Sequence, residues 1–315
     1  MPRSVLITGI TGCVGTALAR RLIDLGVSVF GVVRAHASQP LPEPTQTKLF
    51  PCATFDCAEL EAIIRAARPD AVVHLAAAGV SAEVERADVM RANVDLTLNL
   101  VTAASLNKIP VIHTGSCFEY ADAGIKKLDE TALVAPFNWY GATKAASVQL
   151  AIGLSRELNS QLVVLRLFGV YGPGESERRF VPYLIRSLQR GKTVALTSGL
   201  QQRDLTYVGD IAEAYVHALS HWDRLENHTI YNVCSERSTT IRLVGVQVAQ
   251  QLQRPQEMLR WGALPGRPGE PAHIVGNCAR FRHATGWVAQ HDLETGLQKT
   301  IEAYISDPKR ASQAA

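Results

Sequence analysis

The sequence lacks the signals that mark membrane, secreted and metal-binding proteins. No apolar run among its 315 residues approaches the roughly 20 residues that span a bilayer. The N-terminus leads straight into a strand and a glycine turn, which predicts no signal peptide. The six cysteines form no CxxC pair and no histidine-cysteine cluster at zinc-ligand spacing. We therefore expect free thiols, no disulfide, no structural metal and a cytoplasmic protein.

Charge of one sign is not in excess either. The 32 basic and 29 acidic residues leave a net charge of +3, and no basic run is interleaved with aromatic residues. This balance argues against nucleic-acid binding. The same balance is compatible with binding of an anionic small molecule, because such binding needs only a few local arginines. Length and a hydrophobic content of 47% fit one large domain, alone or with a smaller lobe.

Short β-rich runs alternate with helical patterns through the first half of the chain. Strands are predicted at Ser4–Thr8, Val27–Val33, Ala71–Leu75, Val111–Thr114 and Gln161–Phe168. Helices are predicted at Cys13–Leu25, Glu59–Ala67, Glu83–Asn107 and Trp139–Leu158. This alternation predicts an α/β fold, a doubly wound parallel sheet with helices on both faces.

After about residue 170 the alternation breaks up and glycine and proline become frequent. Short helices are predicted at Phe180–Gln189, Asp210–Ser220, Arg242–Leu252 and Leu293–Tyr304. We expect residues 1–170 to form a Rossmann domain, 171–305 mainly a C-terminal substrate-binding lobe, and 306–315 a loosely ordered tail. Asp210–Ser220 and Tyr231–Asn232 are candidates to return to the first domain.

Thr8–Gly15 places glycines at 9, 12 and 15 between the first strand and the first helix. They permit a tight turn, close approach of a pyrophosphate to the backbone, and close helix–strand packing. Free amides and the helix dipole then meet the phosphate charge. The segment predicts a dinucleotide site, with an ordinary βα turn as the alternative. Its contacts are predicted at Gly9, Thr11, Gly12, Cys13, Val14 and Gly15.

The end of the second strand indicates which dinucleotide is bound. NAD sites place an acid there for the ribose 2′-hydroxyl, whereas NADP sites offer an arginine for the 2′-phosphate. Arg34 stands there with no acid nearby, so NADP(H) is favoured. NAD(H) is the alternative, with Arg34 a solvated residue stacked on adenine. Asp56 is a candidate either to bind the adenine amino group or to cap the helix beginning near Cys57.

Tyr140 and Lys144 stand four residues apart in a predicted helix and so share one face. At about 4–5 Å and an effective dielectric of about 20, the lysine charge favours the phenolate by roughly 3–4 kcal/mol. That amounts to roughly 2–3 pKa units and predicts a tyrosine that titrates toward neutrality. Such a phenol exchanges a proton with a substrate oxygen while hydride moves at the carbon. Lys144 can also hold the nicotinamide ribose.

Ser116 follows a predicted buried strand, 24 residues before the tyrosine. Its hydroxyl at the strand end is placed to polarise the same carbonyl. The alternative is a turn serine bonded to its own backbone. With the glycine turn and YxxxK in this order, we predict a catalytic triad of Ser116, Tyr140 and Lys144.

These ordered motifs resemble the extended short-chain dehydrogenases/reductases of the NAD-dependent epimerase/dehydratase type. The resemblance runs along nearly the whole chain. Beyond the turn and the triad, it includes His74–Ala77, Asn93, Leu165–Phe168, Tyr171–Gly174, Arg203–Asp210, Arg267–Glu270 and Thr285–Trp287.

The resemblance implies a nucleotide-diphosphate sugar as substrate. Arginines at the positions of Arg203 and Arg267 contact the diphosphate in such enzymes, a role that suits the planar guanidinium. The alternatives are ion pairs with Asp204 and Glu270. Further cofactor contacts are implied at Leu75, Ala76, Ala77 and Asn93. Further substrate contacts are implied at Ser116, Cys117, Phe118, Gly169 and Val181. Packing roles are expected for His74, Trp139 and Trp287.

Two departures from the family pattern narrow the reaction. Many relatives carry an asparagine where this chain has Gly169. The sugar 4,6-dehydratases carry Asp-Glu directly after the catalytic hydroxyl residue, where this chain has Cys117 and Phe118. Phenylalanine is no base, so dehydration is disfavoured. Cys117 is interpreted as a small buried residue, with proton donor as the alternative, and Glu119 is expected on the other side of the strand end.

The hypothesis is therefore an NADPH-linked reductase of a 4-keto nucleotide sugar. A nucleotide-sugar 4-epimerase with tightly bound NAD is the main alternative. A non-catalytic dinucleotide sensor is a remote one, since such proteins typically lose the tyrosine or the lysine. The resemblance also implies a homodimer, paired through the long helix Glu83–Asn107 and the catalytic helix.

Overall fold

Seven parallel strands form the central sheet of the computed structural model, which describes residues 1–35, 47–79 and 84–306. The strands are β1 (Ser4–Thr8), β2 (Ser28–Arg34), β3 (Lys48–Cys52), β4 (Ala71–His74), β5 (Val111–Ser116), β6 (Leu162–Leu167), β7 (Gly169–Tyr171), β8 (Val194–Ala195), β9 (Gln202–Tyr207), β10 (Ile230–Val233), β11 (Ser238–Thr240), β12 (Leu259–Arg260) and β13 (His273–Ile274). The helices are α1 (Cys13–Asp24), α2 (Cys57–Ala67), α3 (Arg86–Met90), α4 (Leu96–Leu106), α5 (Trp139–Glu157), α6 (Phe180–Gln189), α7 (Val208–Ser220), α8 (Ile241–Gln251), α9 (Ala279–Thr285) and α10 (Leu293–Ser306).

The central sheet has the order β10-β6-β5-β4-β1-β2-β3, and every neighbouring pair is parallel. All residues of β4 and β6 are buried, as expected of strands covered on both faces. Helices α1 and α7 pack together on one face, and α2, α4 and α5 cover the other. The predicted doubly wound Rossmann fold is confirmed. Its strand order reverses beside β1, which places the ligand crevice at the carboxyl ends of the central strands.

The second half of the chain contributes to both parts of the molecule. Strand β10 extends the central sheet and α7 packs on α1. The rest forms a lobe with its own apolar core between α6, α8 and α10. A small sheet of order β11-β9-β13 lies there, with β7 also paired to β9. The predicted tail lies outside the described residues, apart from its first residue, Ser306, which ends α10.

Helix prediction was more accurate than strand prediction in this half. The bounds of α6 match the prediction, and α7, α8 and α10 differ by one or two residues at an end. The short strands from β7 to β13, β10 excepted, and helix α9 were not predicted. Strands of two or three residues carry too little periodicity to be detected, because their pairing is set by the lobe as a whole.

Three further features concern membrane spans, thiols and metal ligands. None of the helices in the described ranges combines the length and the apolar character that a membrane span requires. All six cysteines are free thiols. Within the described part of the chain, no three histidine, cysteine, aspartate or glutamate side chains cluster as metal ligands would.

Candidate active site

The glycine turn joins β1 to α1 and lies against the chain that follows β4. Gly9 has a φ of 71°, and a Cβ there would lie 2.6 Å from the amide nitrogen of Ala76. A Cβ on Gly15 would lie 2.3 Å from the Gly9 carbonyl oxygen. Both positions therefore require glycine, for the tight turn and the close packing. Gly12 is the N-cap of α1, which no described side chain caps, so the first amides of α1 suit a pyrophosphate.

Asn93 holds the segment after β4 in place. Its Oδ1 accepts from the Ala78 amide at 2.7 Å, and its Nδ2 donates to the Ala78 carbonyl at 3.3 Å and to the Thr143 hydroxyl at 2.9 Å. The side chain is wholly buried with these bonds made. The implied cofactor contact of Asn93 is therefore corrected to a positioning role. A π-helical turn, Arg91–Asp95, interrupts the predicted helix Glu83–Asn107 at this point and presents Asn93 to the loop.

The end of β2 carries Arg34, exposed and beside the end of β3. Strand β2 is the direct neighbour of β1, so Arg34 and the glycine turn share one edge of the sheet. Asp56 takes the capping alternative. Its Oδ1 accepts from the Glu59 amide at 2.9 Å and its Oδ2 from the Thr54 hydroxyl at 2.7 Å. These hydrogen bonds lower the pKa of the carboxyl and make Asp56 the N-cap of α2. Its contact with adenine stays a prediction.

The three predicted catalytic residues meet where β5 ends and α5 begins. The Asn138 side chain caps α5 by accepting from the Gly141 amide at 2.7 Å. This fixes the first turn of the helix, from which the Tyr140 phenol lies close enough to the Ser116 side chain for that side chain to lower its pKa. Lys144 lies one turn further on and is buried. The fold thus brings Ser116 and Tyr140 together at this point.

The predicted phenol titration near neutrality is wrong for this structure. Burial raises the pKa of Tyr140 to about 12, although the Ser116 hydrogen bond opposes the rise. Burial also lowers the pKa of Lys144 to about 8. The Coulomb argument from spacing left out desolvation, which disfavours the phenolate and the ammonium alike. At neutral pH the site therefore holds a protonated phenol and a lysine that titrates close by.

Packing roles were expected of His74, Trp139 and Trp287, and the structure shows them for the first and the last. His74 lies between the hydroxyls of Thr8 and Thr97, with its pKa lowered to about 3 by burial, so it is a neutral packing residue as expected. Trp287 is buried and donates to the Asp210 carbonyl at 3.0 Å. Trp139 is 43% exposed at the start of α5, with an arginine, Arg86, 5.6 Å from its ring centroid. The packing interpretation of Trp139 is therefore wrong.

Sequence motifs missed several residues of the site. Glu119, expected to point away, turns back beneath Ser116 and pairs with Arg166 in the core. Gly141 stands where a Cβ would lie 2.1 Å from the Phe118 carbonyl oxygen, so the catalytic helix can approach β5 this closely only with glycine. Arg179 begins α6 and its charge acts on both Tyr140 and Cys13. Of these residues, only Arg179 could have been predicted from the sequence, as an arginine that follows the Tyr171–Gly174 segment.

Comparison with known proteins gives a consistent result. Residues 5–234 match the family model described as the NAD dependent epimerase/dehydratase family. The chain belongs to this family. A dTDP-glucose 4,6-dehydratase of Neisseria meningitidis is 26% identical, covering 97% of this chain and 94% of the relative. A dTDP-6-deoxy-L-talose 4-dehydrogenase (NAD(P)(+)) of Kitasatospora kifunensis is 28% identical over 98% and 97%. The UDP-glucose 4-epimerase of Thermus thermophilus, solved with NAD, is 25% identical with a TM-score of 0.83 and covers 96% and 99%.

The family's asparagine after β6 has no room in this chain. Gly169 begins β7, and a Cβ there would lie 2.6 Å from Leu205 Cδ2 and 2.7 Å from the Asp204 carbonyl oxygen. The parallel pairing of β7 with β9 creates this contact. A side chain at position 169 would therefore force the two strands apart, and only the backbone of Gly169 is left to serve its implied substrate contact.

The two residues that replace the dehydratase acid–base pair are inert. Burial raises the pKa of the Cys117 thiol to about 12, with the Asp204 charge adding to the rise, so Cys117 is a protonated, small buried residue. The Phe118 ring lies edge-on to Tyr140, with 6.1 Å between ring centroids. It forms an apolar wall beside the phenol and offers no base.

Arg203 and Arg267, the implied diphosphate contacts, differ in their burial and in their ion pairs. Arg203 is nearly buried and pairs with Glu270 at 2.7 Å, so its alternative pairing with Asp204 is wrong. Its charge acts on Cys117, which places it near the catalytic strand end. Arg267 is exposed, and Glu270, its expected ion-pair partner, pairs with Arg203. Val181 packs in the apolar core of the lobe and is 4% exposed. Its implied substrate contact is corrected to a packing role.

Proposed function

We propose that this chain is an NADP(H)-linked reductase acting on the 4-keto group of a nucleotide-diphosphate sugar. The observation that carries the proposal is the convergence of Ser116 and Tyr140 where β5 ends and α5 begins, with burial holding the phenol protonated. A carbonyl reduction consumes a proton at the oxygen, and a protonated phenol is its donor. Lys144, once protonated, stabilises the phenolate that the transfer leaves behind.

The residues divide the chemistry among them. When bound, the reduced dinucleotide supplies the hydride that the carbonyl carbon accepts. The Ser116 hydroxyl polarises the carbonyl oxygen and orients it toward the phenol. Tyr140 then donates its proton to that oxygen. Phe118 shields the phenol on one side, which limits water at the point of transfer.

Substrate and cofactor classes are proposed from charge and from relatives. Arg179, Arg203 and Arg267 are the proposed cations for the diphosphate, since guanidinium groups bind phosphate oxygens in pairs. Arg34 is the proposed partner of a 2′-phosphate. The Kitasatospora relative supports the reductase direction, because its name describes a 4-dehydrogenase that uses NAD(P)(+) on a dTDP-6-deoxy sugar.

A 4-epimerase is the second candidate, supported by the NAD-bound epimerase of Thermus thermophilus. Such an enzyme needs only the serine, tyrosine and lysine. A dTDP-glucose 4,6-dehydratase is among the relatives, but we do not propose that reaction, since Cys117 and Phe118 offer neither the acid nor the base.

Cofactor retention and preference test the proposal. Any nucleotide released from the denatured protein is identified by mass, and the stripped protein is titrated with NADPH and NADH by fluorescence. We expect an empty site and tighter binding of NADPH. Stoichiometric retained NAD would contradict the proposal and favour the epimerase.

We further propose a homodimer that pairs α4 and α5 with their copies. Leu106 at the end of α4 and Leu150 on α5 are 60% and 48% exposed, and the two helices pack side by side. Light scattering should give twice the chain's mass of 34.2 kDa. A monomer at all concentrations would contradict this.

A further inference from the structure

Glu119 lies beneath the catalytic serine with its carboxylate entirely inside the protein. Its Oε1 accepts from the Ser116 amide at 2.6 Å, and its Oε2 accepts from Arg166 Nε at 3.0 Å and Nη2 at 2.5 Å. Neither side chain has exposed surface. Arg166 comes from β6, directly opposite Gly115 on β5. The two adjacent strands thus bring the pair together under the strand end that carries Ser116.

Stability is a weak explanation for this pair. A buried ion pair is often no more stable than apolar residues of the same volume. Arg166 also leaves its Nη1 buried without a hydrogen-bond partner among the described residues. Its guanidinium is further held by the Tyr120 ring, with 4.4 Å to the centroid, and the Tyr120 hydroxyl donates to Asn232 at 2.8 Å. Several residues are therefore arranged to keep one carboxylate in place.

We propose that the Glu119–Arg166 pair is a positioning unit of the active site: the carboxylate fixes the backbone that carries the Ser116 hydroxyl, and its negative charge acts on Lys144, which is buried on the helix that packs against the Cys117–Glu119 turn. The inference rests on the proposed function, because it takes Ser116 and Lys144 as the working groups. We propose no contact of Glu119 or Arg166 with substrate or cofactor.

The serine geometry supports the first part. Ser116 caps a short 3₁₀ turn, Cys117–Glu119, by accepting from the Phe118 amide at 3.3 Å, and Glu119 closes the same turn from the other side. Gly115 leaves the space for it, since a Cβ there would lie 2.7 Å from Glu119 Oε1. The Ser116 hydroxyl keeps its hydrogen free to donate, because its oxygen is the acceptor in this bond. The reciprocal capping therefore orients the hydroxyl toward the phenol.

The surroundings of Lys144 support the second part. Burial lowers the pKa of Lys144, and the Glu119 carboxylate opposes that fall. The titratable groups from the neighbouring elements carry no charge near neutral pH: His74 on β4 and His113 on β5 have pKa values lowered by burial, and Tyr140 on the same helix has one raised by it. Glu119 is thus the anion that opposes the effect of burial on Lys144, and the Arg166 guanidinium is paired with the same carboxylate. An opposite charge at close range typically shifts a pKa by about 1 unit or more.

The test replaces the carboxylate by its neutral isostere. Glu119→Gln keeps an oxygen for the Ser116 amide and removes the charge. The double variant Glu119→Gln/Arg166→Met also removes the unpaired cation and serves if the single variant unfolds. Glu130→Gln is the matched control, because Glu130 accepts from the Asn232 backbone amide at 2.8 Å at the far end of the same network. Lys144 is followed by NMR in protein labelled at lysine ¹³Cε, with Lys144→Arg for assignment, so this readout needs no substrate.

We expect the midpoint of the Lys144 titration to fall by about 1 pH unit in both Glu119 variants and to stay unchanged in Glu130→Gln. The alkaline limb of kcat should move down with it. The double variant should regain the melting temperature but not the titration midpoint. Wild-type titration in folded Glu119 variants would overturn the inference, as would full recovery of the titration and the pH profile in the double variant. If the midpoint moves while no nucleotide sugar is turned over by wild-type protein, the proposed function fails and the electrostatic role of Glu119 stands.

Discussion

Gly141 offers a sharp test of how the catalytic helix is placed. Glycine inside a helix normally costs roughly 0.5–1 kcal/mol relative to alanine. Here a Cβ would lie 2.1 Å from the Phe118 carbonyl oxygen and 3.0 Å from Pro136 Cβ, whereas ordinary contact begins near 3.4 Å. Gly141→Ala must therefore move the start of α5 away from the strand end by more than about 1 Å. Misplacement of about 1 Å between reacting groups costs on the order of 100-fold in rate.

The assay is the kcat for reduction of a dTDP-4-keto-6-deoxyhexose, followed as NADPH absorbance, together with the melting temperature. Gly153→Ala is the matched control, since it lies on the same helix and a Cβ there meets nothing within 4 Å. We expect Gly153→Ala to gain stability and keep its kcat, and Gly141→Ala to lose stability and about 100-fold in kcat. A Gly141→Ala variant with wild-type kcat and the stability gain of its control would refute the reasoning.

Three further predictions follow from the same geometry. Glu175 is nearly buried, with one carboxylate oxygen unpartnered among the described residues, and burial raises its pKa from 4.5 to about 7. Its folded state thus favours the protonated form and loses stability as pH rises from 4.5 through 7. The free energy of unfolding of Glu175→Gln should therefore exceed that of the wild type by about 1–3 kcal/mol at pH 8 and should not exceed it at pH 4. Equal gains at both pH values in denaturant titrations would exclude this cause. Tyr140→Phe should lower turnover by several orders of magnitude with the NADPH dissociation constant unchanged, and near-wild-type turnover would remove the mechanism. Arg34→Ala should weaken NADPH binding about tenfold or more and leave NADH binding unchanged, whereas equal losses for both cofactors would assign Arg34 to adenine stacking.

The residues that sequence alone located are those whose chemistry depends on local spacing. Gly9 and Gly15 serve a turn and a close contact within a few residues of each other. Tyr140 and Lys144 share a face because a helix has a fixed period. The strand alternation likewise predicted the central sheet, because strands buried on both faces have near-continuous apolar runs.

What the sequence could not predict depends on contacts between distant segments. Glu119 meets Arg166 only through the register of β5 against β6. The raised pKa of Tyr140 follows from burial by segments far along the chain, which no spacing reports. The sequence showed only that Gly169 replaces an asparagine of the family pattern. The pairing of β7 with β9 is what excludes a side chain there. The capping role of Asp56 was one of two interpretations of the sequence, and the hydrogen bonds with Thr54 and Glu59 show it.

The central claim is that the chain reduces a 4-keto nucleotide sugar and releases an oxidised dinucleotide each cycle. The most direct measurement is product analysis after incubating the stripped protein with NADPH and a dTDP-4-keto-6-deoxyhexose, with UDP-glucose in a parallel reaction. We expect one NADP formed for each 4-hydroxy sugar produced, and no conversion of UDP-glucose. Interconversion of UDP-glucose and UDP-galactose by retained NAD, with no net change in the cofactor and no reduction of the keto sugar, would contradict it.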